Sequence, residues 1–198
     1  MMKQPVKAFQ FGDAGWCPNN PKLPLLFYHA VSDEEPGEDL ARWLETTFKA
    51  NGWPPAWRYT IYDFPHYHST SHEVIGVFQG RARIRFGDSA GEIVEAGPGD
   101  VVVIPAGVSH ERVSQTNGFC CVGGYPEGFE RDLIRKVDAS ARPGADERIA
   151  KVPVPGTDPG AGLGGRSELP DMERGRPRPR AGGEVGWNGV ESPCVGSG

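Results

Sequence analysis

His66-Tyr67-His68-Ser69-Thr70-Ser71-His72-Glu73, then Gly80, then Gly99-x5-Pro105-x-Gly107-x2-His110 carry four of the five histidines of the chain. In a strand, residues i and i+2 share a face, so His66 and His68 aim two imidazoles at one point. Glu73 follows a short Ser/Thr bend and can return a carboxylate to that point from the next strand. His110 follows a Pro-Ala-Gly turn and can supply a third imidazole from a distant strand. Three neutral imidazoles and one carboxylate suit a single divalent Fe, Mn, Zn, Ni or Cu, with positions left open for water or substrate. An HxH pair alone is common; Glu73 and His110 at this spacing give it weight. His72 competes with Glu73 for the carboxylate's place, but on a regular strand it points to the opposite face. The expected ligands are therefore His66, His68, Glu73 and His110, with His72 beside the site or at the surface. His29, in the N-terminal third, is read as structural.

Around these residues the hydrophobic period is two. Candidate strands are residues 57–64, 73–79, 81–86, 92–95, 101–104, 110–113 and 119–123, separated by Gly-rich turns. Short strands at regular spacing predict an all-β sandwich or barrel. A further apolar run, 25–28, reads as an edge strand. One helix is expected over 39–51, where Leu40, Trp43, Leu44, Thr47 and Phe48 form one apolar stripe. Acidic residues precede it and Gly52 stops it. It should pack outside the barrel. Arg81, Arg83 and Arg85 face away from Ala82, Ile84 and Phe86, and read as a solvated outer face. Asp100, in the Gly97-Pro98-Gly99-Asp100 turn, is given only a local hydrogen-bonding role.

The two histidine stretches resemble the two motifs of the cupins. His66-x-His68-x4-Glu73-x6-Gly80 matches the first, and Gly99-x5-Pro105-x-Gly107-x2-His110 the second, with 18 residues between Gly80 and Gly99. Thr60 stands where the first motif opens on glycine, and Ser114 where the second often ends on asparagine; neither position ligates metal. The resemblance extends to single-domain cupins of the YjlB type. It rests there on Asp13-Ala14-Gly15-Trp16, Pro18-Asn19-Asn20, Leu23-Pro24, Asn51-Gly52-Trp53, His66-Tyr67-His68-Ser69-Thr70, Val152-Pro153 and Thr157-Asp158-Pro159. It implies a double-stranded β-helix (jelly-roll barrel) with one or two flanking helices, one divalent transition metal per subunit, and a homodimer formed through sheet edges or faces.

The 198 residues suffice for one domain with a sizeable core. We expect a single domain over 1–159, with an N-terminal extension and a motif core at 57–125, then a Gly/Pro/Arg-rich tail over 160–198. From Gly156 to Gly198 there are 12 glycines in 43 residues, too little apolar surface to offset ordering entropy, so the tail is expected to be disordered. The net charge of −5 leaves no basic footprint for nucleic acid. No run is long enough to span a membrane, and the N-terminus has no apolar secretory segment. Cys17, Cys120, Cys121 and Cys194 form no CxxC pair and no disulfide framework, which suggests reduced thiols in a cytoplasmic protein. Cys120 and Cys121 should lie on opposite faces of one strand.

Tyr62, Phe64, Phe78, Phe86 and Val102 are candidates to line an apolar pocket, and Tyr62 and Tyr67 could orient a bound molecule through their hydroxyls. No Ser-His-Asp order, P-loop or dinucleotide fingerprint occurs. Two function classes follow. One is a metal enzyme on a small organic substrate: an oxygenase, or a metal-assisted isomerase or decarboxylase. The other is a non-catalytic module that binds a small molecule or metal. Open coordination positions favour the first.

Overall fold

Seven-residue stretches such as Glu73–Gln79, with β-branched and aromatic side chains on both faces, can be satisfied only in a sheet covered on both sides. The computed structural model describes residues 6–159 and Cys194. The chain runs β1 (Lys7–Phe9), β2 (Leu25–Tyr28), α1 (Glu38–Ala50), β3 (Pro55–Tyr59), β4 (His66–Tyr67), β5 (Glu73–Gln79), β6 (Ala82–Phe86) and β7 (Glu92–Ala96). It continues through β8 (Val101–Ile104), β9 (His110–Gln115), β10 (Cys120–Gly124), β11 (Ile134–Arg135), a 3-10 turn (Lys136–Ala141) and α2 (Gly144–Lys151). Six strands form one sheet in the order β1-β2-β8-β5-β10-β3, and five form the other in the order β11-β4-β9-β6-β7. The recorded strand pairings are antiparallel. This is the expected jelly-roll barrel.

The alternation along β5 sorts its side chains. Ile75 and Val77 join Phe27, Ile84, Phe86 and Val102 in the core between the sheets. Val74 and Phe78 face the other way, under α1, with Leu40, Leu44 and Phe48. Those three helical residues recur at i, i+4 and i+8 and are at most 1% exposed, so the predicted stripe is the buried one. Glu38 and Asp39 in the first turn and Lys49 in the last complement the helix dipole. Gly52, at φ +78°, ends the helix as its N–H donates to Lys49 O at 3.1 Å. Gly76 lies on the outer face of β5, and a Cβ there would stand 2.8 Å from Leu44 Cδ2 and 3.0 Å from Phe48 Cζ. The absence of a side chain lets α1 sit directly on the sheet.

Several expectations are corrected. The strand expected to run to Phe64 ends at Tyr59. Beyond it Ile61 turns into the core while Tyr62 and Asp63 turn out, so the pleat does not continue. Strands β1, β4 and β11 lie in segments whose sequence shows no alternation, because two or three paired residues leave no period to read. Phe78 packs under α1 and does not line the barrel interior. Cys120 and Cys121 do face opposite sides, but Cys120 forms a disulfide with Cys194, 74 residues away, which overturns the all-reduced reading. Apart from Cys194, the tail and its expected disorder lie outside the described residues. Arg85 and Arg81 pair with Glu111 at 2.6 Å and Glu95 at 3.5 Å, consistent with a solvated outer face. Asp100 accepts from the N–H of Gly97 and of Ala30 and meets His29 Nδ1 at 2.7 Å, so both residues fasten the turn.

Cys17 and Cys121 are free and fully buried. Burial pushes the Cys17 thiol up to about 12 and raises that of Cys121 well above the ordinary value. Protein purified without reductant should therefore show almost no thiol reactive with Ellman's reagent when native. It should show two when unfolded and four when unfolded and reduced. Four without reduction would exclude the Cys120–Cys194 bond.

Candidate metal centre

Strand β4 lies between β11 and β9, with His66 directly opposite His110 in register. Opposed residues of an antiparallel pair project to the same face, so the two imidazoles meet, their centroids 4.1 Å apart. His68, two residues on, joins them from the same face. The ligand nitrogens of His66, His68 and His110 all lie within 4.8 Å of one another, and the three residues are 3%, 4% and 2% exposed. Each ring turns Nδ1 to a backbone carbonyl: Phe64 O at 3.0 Å for His66, Val108 O at 3.2 Å for His110, and Asp132 O for His68. A carbonyl can only accept, so Nδ1 carries a proton and, in the neutral ring, Nε2 is the lone pair.

Glu73 opens β5 beside this cluster. Its Oε2 lies 3.4 Å from His68 Nε2 and 3.2 Å from His110 Nε2, is buried, and has no hydrogen-bond partner among the described residues. Burial opposes its ionisation, but a proton held between its Oε2 and the Nε2 of His68 or His110 keeps the carboxyl well below the usual carboxylate range. Burial, then His110 and His68, push His66 down to about 2, which keeps that ring neutral. A carboxylate oxygen facing imidazole lone pairs needs either an added proton or a cation between them. Three imidazoles and a carboxylate fit one divalent transition metal. The structure thus brings together all four residues expected from the spacing.

The supporting contacts were not legible in the sequence. Tyr125 donates its hydroxyl to Glu73 Oε1 at 2.8 Å and accepts from Trp57 Nε1 at 2.9 Å. Burial, then the Glu73 carboxylate, raise the Tyr125 phenol, so it stays a donor. Trp57 is opposite Gly123, and a Cβ on Gly123 would fall 1.9 Å from its ring; only glycine leaves room for the indole that holds Tyr125. Asp132 fastens the other side. Its carbonyl takes the His68 proton, and its carboxylate accepts from Ser69 N at 2.6 Å, from the Ser69 hydroxyl and from Thr70 Oγ1 at 3.3 Å. The hydroxyls of Ser69-Thr70 after the HxH were the one signal of such a partner. His72 does face away from Glu73: its Nδ1 accepts from Ala106 N at 2.9 Å and its Nε2–H donates to Pro153 O at 3.2 Å.

Tyr62 stands at the rim, 38% exposed, its ring 5.2 Å from that of His66 and 4.9 Å from that of Phe64. Phe86, opposite His110, and Val102 belong to the barrel core. Tyr67 is a correction: it points away from the centre and packs on Trp16 at 5.6 Å, fully buried beside Ile134. The alternation that turns His66 and His68 inward turns Tyr67 outward.

Comparison with known proteins agrees with this architecture. The family model described as "Cupin domain" matches residues 60–120. The chain is 33% identical over 159 residues to the uncharacterized protein YjlB of Bacillus subtilis, covering 80% of this chain and 92% of that one. It is similar at 20% identity and a TM-score of 0.33 to the 11S allergen of Cocos nucifera, over 47% of this chain and 30% of that one. It thus spans under a third of the allergen's length, a likeness too distant to carry an argument. Among the described residues no helix is long and apolar enough to cross a membrane.

Burial lowers the pKa of His72 to about 4, against about 6.5 in an unfolded chain. The unfolded state therefore binds the extra proton first, and stability falls as pH drops from about 6.5 to about 4. His72→Gln keeps an acceptor and a donor but does not titrate. It should lower that slope by about one proton's worth in chemical-denaturation curves of metal-free protein, leaving the share of His66, whose pKa is also depressed; an unchanged slope would contradict the assignment. Asp132→Ala should leave the barrel folded but loosen the segment holding His68, weakening metal affinity about 10–100-fold in competition titrations.

Proposed function

We propose that this chain, which belongs to the YjlB-type cupins, is a mononuclear metal enzyme acting on a small organic substrate at the mouth of the barrel. The observation that supports this reading is the convergence of three imidazoles, with Nδ1 on carbonyls, beside a Glu73 Oε2 that has no hydrogen-bond partner among the described residues. His66, His68, Glu73 and His110 would hold the ion. Bound there, a divalent transition metal would supply Lewis-acid or O2-activating chemistry, as an oxygenase or a metal-assisted isomerase or decarboxylase requires. Four protein donors leave positions open for a small molecule, unlike a closed structural site. The chain's own residues set the environment. Tyr125 fixes one carboxylate oxygen of Glu73 and so orients the other. Tyr62 and Phe64 present aromatic surface beside His66 and exclude water from that side. The family resemblance supports a homodimer and the acidic net charge supports the lack of a nucleic-acid partner; the cytoplasmic expectation rests on reduced thiols, and the Cys120–Cys194 bond removes that support.

Metal analysis of the untagged full-length chain should find one transition-metal ion per subunit. His68→Ala and His110→Ala should lose most of it while circular dichroism still reports the barrel; full occupancy in both variants would reject the site. The metal-loaded chain should then consume O2 or substrate in a screen of small aromatic and dicarbonyl compounds, and His68→Ala should not. Ligand binding without turnover would instead mark a non-catalytic binding module.

A further inference from the structure

The row of opposed residues that brings His110 and His66 together does not stop there. Phe86 on β6 is opposite His110 on β9, His110 is opposite His66 on β4, and His66 is opposite Arg135 on β11. Four side chains from four adjacent strands thus project to one face, from the core to the sheet edge. Arg135, at that edge, is exposed. Its guanidinium carbon lies 4.2 Å from the centroid of the Phe64 ring, which is itself 5.5 Å from the His66 ring.

Charge pairing sets this arginine apart. Among the described residues, Arg83, Arg131 and Arg135 are the arginines with no carboxylate within 4.0 Å. Arg83 lies on the outer face of β6, across from Glu95. The other two flank the candidate centre: Arg131 stands 5.7 Å from the ring of Tyr125, which holds Glu73. Of the nearby acids, Asp132 is committed to Ser69, Thr70 and Arg148, and Asp138 accepts from the Arg135 backbone N–H at 3.0 Å without pairing with its guanidinium. An arginine stacked on an aromatic face keeps its in-plane N–H groups free, in a fork that matches a carboxylate.

We infer that the substrate is a small organic carboxylate whose acid group is gripped by Arg135 while its reacting end reaches the centre formed by His66, His68, Glu73 and His110. This rests on the metal-enzyme reading and adds the substrate's chemical class. Phosphate can take the same bidentate fork, but its further oxygens and charge call for more donors than this one guanidinium supplies. Arg131 adds positive potential on the Tyr125 side of the mouth.

The test uses full-length Co(II)-loaded protein and follows the visible Co(II) spectrum and calorimetry. The probes are acetate, pyruvate and benzoate, their neutral amides, and inorganic phosphate. At least one carboxylate should bind more tightly than its amide. Arg135→Gln should weaken it about tenfold or more, the loss of a charge-assisted bidentate contact. Arg135→Lys should restore part of the affinity, and amide binding should not move. Metal content and melting temperature should be unchanged in both variants, since Arg135 touches neither the ligand atoms nor the core. Three results overturn the inference: no carboxylate preferred over its amide, Arg135→Gln binding carboxylates like wild type, or phosphate outcompeting every carboxylate at Arg135. If these occur in protein that holds its metal, the metal-enzyme reading stands. A chain that binds no metal defeats both.

Discussion

Backbone carbonyls decide what this barrel can hold. Each of His66, His68 and His110 finds a carbonyl oxygen at Nδ1, and that contact chooses the tautomer. Nδ1 is spent on the main chain, so three Nε2 atoms and a carboxylate oxygen with no hydrogen-bond partner among the described residues converge in a buried space. A buried polar group without a partner costs roughly 1–3 kcal/mol, and more when charged. Keeping such a cluster makes chemical sense when a cation completes it.

The rest of the fold keeps these donors from relaxing away. The six-stranded sheet is packed on both faces, by the barrel core and by α1, so β5 cannot shift and carry Glu73 with it. Two glycines set how closely the layers approach: Gly76 beneath α1, and Gly123 beneath the indole that steadies Tyr125. Across the barrel, Asp132 binds the end of β4 through both its carbonyl and its carboxylate. Glu73 and His68 are thus held by residues 52 and 64 positions further along the chain.

This pattern explains what the sequence made legible. The four converging residues sit at spacings governed by local rules, the period of two in a strand and the turn before His110, and both rules survive folding. Alternation also separated Glu73 from His72 correctly. The same rule excludes Tyr67 from the site, as the Trp16 contact shows; treating its hydroxyl as available to a ligand set that rule aside. Phe78 was misplaced although the same rule locates it: five positions from Glu73, it lies on the opposite face of β5. Tyr125, Asp132 and the Cys120–Cys194 bond depend on pairings between distant segments, and no local pattern encodes those. Segments as short as β1 and β11 were missed because their extended form is imposed by neighbours.

The place of β11 has a consequence for how such a barrel diversifies. It is two residues long, is the terminal strand of its sheet, and pairs with β4 alone. His66 and His110, by contrast, lie on strands paired on both sides, where a change in register would disturb the whole sheet. Replacements on the short outer strand leave those pairings intact, so lineages can exchange the residue facing the approach without dismantling the donors behind it. The border can thereby change without a cost to the interior, because the two draw their stability from different pairings.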